Sequence, residues 1–236
     1  VLPQVKGVVL SDYGSGTITD KLLGQIFAYC QEHNIPTIVD SRYDILRFKT
    51  VDYIKQNDAE LSAAIGRDLA TEEELVQGGC ELLVKMSAKG ALITRGEDGM
   101  SLFQIISPQE AADYLKSQEA SGSGEAGQFR EGLTVKLVVK RQTGRLSVVQ
   151  ELISYQDRDI LVSHIPVTDQ SEVYDVSGAG DTCVATVILG LAAGLEPLLA
   201  CQLSNEASGI AVRKMGTSVV YARELEARFR QLGYEA

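Results

Sequence analysis

Asp175-Val176-Ser177-Gly178-Ala179-Gly180-Asp181 sets three small residues between two carboxylates, at the head of the apolar segment Thr182-Cys183-Val184-Ala185-Thr186-Val187. The backbone N–H groups of Gly178, Ala179 and Gly180 carry little side chain and can converge on an anion. A helix opening near Asp181 adds the positive end of its dipole. Such a cradle favours a phosphoryl group in transfer and keeps Asp181 ionised, ready to accept a proton. An acidic helix cap after a glycine turn has the same spelling and stays open at this point.

Four further groups fit the same chemistry, each with a plainer reading beside it. Asn57 and Glu60 stand three apart at a strand-to-helix junction, facing one solvent shell near a metal–phosphate group or simply capping a helix. Thr94-Arg95-Gly96-Glu97-Asp98-Gly99 offers a hydroxyl, a cation and two permissive glycines, or a hairpin turn. Asn205 and Ser208 lie one turn apart on a helix of small residues, suited to a flat base or to helix packing. Lys214-Met215-Gly216-Thr217 is a helix exit whose glycine is a binding loop or a C-cap. Gly122-Ser123-Gly124-Glu125-Ala126-Gly127 matches GxGxxG to the letter but lacks the strand before it and the helix after it. It reads as a flexible linker.

The elements that position these residues alternate from residue 5 to 94. Residues 5–11 read as a mostly buried strand, with the loop Asp12-Tyr13-Gly14-Ser15-Gly16 after it. Thr19 caps a helix over 20–33, residues 36–40 form a second strand, and 53–57 a third that leads into a helix to about Ile65. Thr71-Glu72-Glu73-Glu74 is a capping box for a helix to about 88, and 91–94 is a fourth strand turning into 100–103. This is the pattern of a doubly wound α/β sheet, where ligands sit at the carboxyl ends of strands, near Asp12, Asp40, Asn57 and Thr94. Residues 105–163 break the alternation. There, 117–127 reads as a mobile loop, 133–140 and 146–155 as a hairpin turned at Gln142-Thr143-Gly144, and 160–162 as a further strand. The region is expected to be an insertion with its own small antiparallel sheet. Helices over 181–193 and 196–213, a loop or strand at 216–221 and a last helix from Arg223 complete the chain.

Over 236 residues the chain is 44% hydrophobic with a net charge of −10, which suits a soluble domain and argues against nucleic-acid or anionic-membrane surfaces. Nucleotides are not excluded, since phosphate sites work through local amides and a metal ion. Cys30, Cys80, Cys183 and Cys201 show no CxxC spacing, and His33 and His164 stand apart, so neither zinc nor disulfides are expected. With no membrane-length apolar run and no signal peptide, the chain reads as cytoplasmic.

In order, Asn-x-x-Glu, Thr-x-Gly-x-x-Gly, Asp-x-Ser-Gly-Ala-Gly-Asp and Lys-x-Gly-Thr resemble the ribokinase-like, or phosphofructokinase B (PfkB), carbohydrate kinases. Ser11-Asp12-Tyr13-Gly14, the stretch Glu172-Val173-Tyr174 leading into Asp175, and Lys214-Met215-Gly216-Thr217 look most like the heptose-7-phosphate kinase module of bifunctional ADP-heptose synthases. The resemblance covers nearly all of the chain except 105–163. It implies a single three-layer α/β/α domain over residues 1–236, with a mostly parallel sheet and a small antiparallel insertion.

By the same resemblance, Asp181 is the base that takes the sugar proton, and Gly178, Ala179 and Gly180 form the anion hole. Asn57 and Glu60 organise Mg²⁺ and its waters, Thr94 and Gly96 line the phosphate channel, and Gly99 shapes the adjoining turn. Asn205, with Ser208 beside it, lies near the adenine and Gly216 in the adjoining loop, while Asp175 and Ser177 are the candidates for a monovalent cation such as K⁺. The implied ligands are ATP and a sugar or sugar phosphate. The chain departs from the heptose kinases at Ser15 (usually lysine), Gln56 (proline), Ser41 (proline) and Arg42 (lysine). The family's N-terminal portion, with the first strands, the lid and the glycine pair that contacts the sugar, is expected to be absent. Transfer would then need a second chain or a longer polypeptide, and a homo-oligomer stays open. A non-catalytic nucleotide-binding subunit is the alternative, and an interaction protein docking through 105–163 is the third.

Overall fold

The computed structural model describes residues 2–122, 124–127, 129–130, 132–143, 146–169 and 173–233. The first half alternates as expected: β1 (Val8–Asp12), α1 (Asp20–Glu32), β2 (Thr37–Ser41), β3 (Tyr53–Asn57), α2 (Asp58–Ile65), α3 (Glu72–Met86) and β4 (Gly90–Thr94). Local signals set the helix starts. Thr19 accepts the Leu22 N–H at 3.3 Å, and Thr71 and Glu74 close a reciprocal capping box at the head of α3. β1 to β4 pair in parallel, in order. A short 3₁₀ turn at Gly96–Asp98 folds β5 (Met100–Ile106) back antiparallel on β4.

Side chains alternate across this sheet into two cores. Val39, Ala91, Ile93 and Phe103 pack with Leu23 and Phe27 of α1, Leu61 of α2 and Leu83 of α3. Ile38, Leu92 and Leu102 point to the opposite side, against Cys183, Val184, Val187 and Ile188 of α5 (Ala179–Ala192) and Cys201 of α6 (Pro197–Ala211). The result is the three-layer α/β/α arrangement, with α7 (Ala222–Gln231) packed on α6.

Three expectations are corrected. β1 is not buried on all sides: it begins at Val8, forms the edge of the sheet beside β2, and leaves Val9 40% exposed. Residues 117–121 are not loop but the last turns of α4 (Pro108–Ser121), which opens on a Ser107–Glu110 capping box with Pro108 at its first position. The antiparallel strands do not stand apart as a sheet of their own. β10 (Arg158–Ile165) pairs with β5, then β9 (Leu146–Tyr155), β8 (Leu133–Thr143) and the short β6 (Glu125–Ala126) follow, with β7 (Phe129–Arg130) also on β8. All ten strands thus share one mixed sheet among the described residues. Gly144 of the expected hairpin turn, Ser123 of the GxGxxG match and Glu172 lie outside the described residues.

Candidate active site

α5 opens at Gly178, whose φ of 78° lies in the left-handed region that glycine adopts without strain. A Cβ there would also stand 3.0 Å from Cγ2 of Thr217. The approach to this turn is clasped by Asp175. Its Oδ1 accepts the Ser177 N–H at 2.8 Å, and its Oδ2 accepts the Gly216 N–H at 3.1 Å. The N–H groups of Tyr174 and Asp175 both donate to the Val212 carbonyl, at 2.9 and 3.1 Å. The Asp175 carboxyl is held below the usual range, chiefly by the Ser177 N–H. Of the expected anion donors, Ala179 gives its N–H to the Val176 carbonyl at 3.2 Å. Gly180 and Asp181 lie in the first turn of α5, where N–H groups have no acceptor within the helix. Asp181 is exposed.

β2, β3 and the loop after β1 bring three more side chains to this turn. Lys55 on β3 forms a buried ion pair with Asp40 on β2 at 3.1 Å, their side chains 7% and 17% exposed. A Cβ on Gly180 would lie 3.1 Å from the Lys55 Nζ, so this ammonium sits directly under the start of α5. Burial pulls Lys55 down, but the charges of Asp40 and then Glu60 outweigh it and hold the ammonium above its ordinary value. Burial pushes the Asp40 carboxyl up, with Lys55 opposing. From the loop after β1, the Tyr13 hydroxyl donates to Oδ1 of Asp181 at 3.3 Å. Neither Lys55 nor Tyr13 was singled out from the sequence. A lysine at the centre of an expected parallel strand was the available sign for the first. Tyr13 stands in the Ser11-Asp12-Tyr13-Gly14 element, but nothing local pairs it with Asp181, 168 positions away.

A cavity of about 830 Å³ extends from this turn between the β4–β5 connection and α6, a size suited to a nucleotide. Thr94, Gly96, Gly99, Gly180, Asn205 and Ser208 are among the residues that line it. Gly99 has φ 84°, and a Cβ there would fall 2.1 Å from the Ile165 carbonyl oxygen, so the wall admits only glycine. Asn205 donates to the Pro166 carbonyl at 2.9 Å, and Ser208 to the Ala179 carbonyl at 3.3 Å, which ties α6 to the head of α5. Asn57, Glu60, Asp175, Ser177, Gly178, Asp181 and Gly216 are not part of the wall. Asn57 and Glu60 close a capping box on α2, with bonds of 2.7 and 2.8 Å to each other's N–H. Among the described residues no group of three His, Cys, Asp or Glu side chains could hold a metal unaided, and the four cysteines are buried and free.

The model of the pfkB family of carbohydrate kinases matches residues 2–118 and 152–222. The chain belongs to this family. All the candidate residues fall inside the matched stretches, and residues 119–151 fall between them. Bifunctional protein HldE of Rhodospirillum rubrum is 30% identical over 231 residues, covering 98% of this chain and 36% of the relative. HldE of Hyphomonas neptunium is 31% identical over 232 residues, covering 98% and 37%. The chain thus spans little more than a third of the curated relatives it matches.

Phosphofructokinase-2 from Escherichia coli, solved with substrates and products, superposes with a TM-score of 0.60 at 18% identity, covering 97% of this chain and 57% of that one. Ribokinase from Arabidopsis thaliana, solved with ribose and ATP, gives 0.59 at 16%, covering 98% and 57%. A further phosphofructokinase-2 structure, solved with potassium, gives 0.59 at 17%, covering 97% and 57%. These likenesses show the ribokinase-like fold. No helix among the described residues is long and apolar enough to cross a membrane.

Proposed function

We propose that this chain is the nucleotide-handling part of an ATP-dependent sugar kinase, and that the acceptor is a heptose 7-phosphate. The observation that carries the reading is the opening of α5. There Gly178 and Gly180 leave the helix N-terminus bare, Lys55 lies beneath it, Asp181 stands beside it, and a nucleotide-sized cavity leads to it. ATP would lie with its base toward Asn205 and Ser208 and its phosphates along Thr94, Gly96 and the Gly178–Gly180 turn. Asp181 accepts the proton of the attacking hydroxyl, whose oxygen forms the new bond to the γ-phosphorus as the bond to the ADP oxygen breaks. The first-turn N–H groups and the Lys55 ammonium face the negative charge spread over the phosphoryl oxygens. The match to HldE proteins supports a heptose phosphate as the acceptor.

The residues present fit a magnesium ion held mainly by phosphates. Mg²⁺ is ordinarily bound through one or two carboxylates, substrate phosphates and water, and Glu60 is fixed by its capping box at the carboxyl end of β3. Glu60 would hold the ion through water, and the bound ion would neutralise phosphate charge. Asp175 keeps lone pairs free after its two N–H bonds and, with Ser177, marks the position for a monovalent cation.

The test is ADP formation from Mg·ATP with heptose 7-phosphate and other sugar phosphates, using the chain alone and mixed with the N-terminal part of a relative. D181N should lower kcat by about 10²–10⁴-fold, the worth of a positioned base, with ATP still bound. Turnover indifferent to D181N contradicts the proposal. ATP binding without transfer to any acceptor assigns the chain to the non-catalytic, nucleotide-binding class instead.

A further inference from the structure

We infer that Tyr13 is a positioning residue for Asp181: its phenol, anchored by the turn after β1, donates to Oδ1 and leaves Oδ2 to take the proton of the attacking hydroxyl. The inference rests on the reading of Asp181 as the base. What makes it more than a surface contact is the construction of the turn that carries Tyr13. Asp12, only 5% exposed, accepts the Gly14 N–H on Oδ1 at 3.1 Å and the Ser41 hydroxyl on Oδ2 at 3.0 Å. Its carbonyl accepts the Arg42 N–H at 3.1 Å. Gly14 takes φ 71°, and a Cβ on it would press to 2.9 Å from the Tyr43 ring. The residues on both sides of Tyr13 are therefore fixed to the end of β2, and the phenol projects from a held turn to the first turn of α5.

The bond has a definite chemical consequence. A carboxylate with one oxygen engaged by a neutral donor is oriented, and its second oxygen is left to accept. The phenol stays a donor throughout the neutral range: the Asp181 charge, followed by partial burial, raises its ionisation above the ordinary value, with Asp40 adding to this and Ser11 opposing. The charged groups around the pair are Asp40 on β2, Lys55 on β3 and Glu60 on α2, whose charges act on one another. Tyr13 is the neighbour that donates to the Asp181 carboxylate through a neutral hydroxyl.

The experiment uses the full chain labelled with [13Cζ]tyrosine. The Tyr13 resonance is assigned by its loss in Y13F and followed by NMR through an alkaline titration. Its midpoint should lie above 10, the ordinary value for tyrosine, and fall toward it in D181N. A midpoint that D181N leaves unmoved overturns the inference. This readout needs no turnover, so failure of the kinase reading, seen as absence of ATP binding by calorimetry on the same samples, stays distinguishable. Where transfer to heptose 7-phosphate is measured, Y13F should lower kcat about 10-fold, the worth of one hydrogen bond to a charged group. KM for ATP should hold, since the phenol touches the base and not the nucleotide. Wild-type kcat in Y13F, or a loss carried by KM for ATP instead of kcat, also overturns it.

Discussion

Lys55 occupies the middle of β3, where a parallel strand covered on both faces ordinarily carries an aliphatic side chain. Its buried ammonium is balanced by Asp40 and reaches the underside of Gly180. K55M leaves the Asp40 carboxylate buried without its partner and should cost about 3 kcal/mol in urea unfolding. D40N/K55M should recover part of that loss while ATP affinity stays reduced, separating the stabilising role of the pair from its role toward phosphate. At this scale the sequence was readable wherever function is local. Gly178, Gly180 and Asp181, the proposed cradle, lie within four consecutive residues, so their spacing drew attention to them; it left a plain helix cap open, and the family resemblance supplied their roles. Lys55 and Tyr13 act on α5 from the other end of the chain, and only the pairing of β1, β2 and β3 in parallel brings them there.

The β4–β5 connection shows how an element shapes the site through its neighbours. Gly99 abuts the backbone at Ile165, the end of β10, so the turn that lines the cavity is pressed against the strand leading to residues 166–169. G99A should destabilise the fold by about 2 kcal/mol or more, from the left-handed φ and the blocked approach together, and should weaken ATP binding. β10 also carries His164, whose Nδ1 lies 2.9 Å from the Ser101 hydroxyl on β5 and 3.7 Å from Glu72. Burial lowers its ionisation below 6.5, outweighing the opposing charges of Glu151 and Glu72. The unfolded chain then binds more protons between the two values, so stability should fall as pH drops through about 6.5. Thermal melts at stepped pH should show that loss and should show it reduced in H164Q. Helices and parallel strands were legible here because caps and periodicity are local signals. The Ser107-Pro108-Gln109-Glu110 start of α4 carries a signal of the same kind that the sequence reading did not take up, and the Ser and Glu content of its last turns, running into Gly122, read as loop. The attachment of β10 to β5 was not legible, since nothing local distinguishes a strand that joins the main sheet from one that begins its own.

Across the whole molecule, one mixed sheet divides two cores, and its parallel strand ends converge on the opening of α5. β1 stands at the edge of that sheet with Val9 exposed and Tyr13 at its tip, beside Asp181. The chain covers 57% of the phosphofructokinase-2 and ribokinase chains it superposes on and contains the elements from which the proposed nucleotide site is built. The claim on which the functional account turns is that Mg·ATP binds in the cavity with its phosphates at the Gly178–Gly180 turn. Isothermal calorimetry of Mg·ATP with the full chain and with G180V measures it most directly, because a side chain at Gly180 meets the Lys55 ammonium and fills the cradle. The account predicts one-to-one binding with a dissociation constant between about 1 μM and 1 mM, lost or weakened at least 10-fold in G180V when thermal melts show that the variant is folded. No binding by the wild-type chain, or equal binding by both, would contradict it.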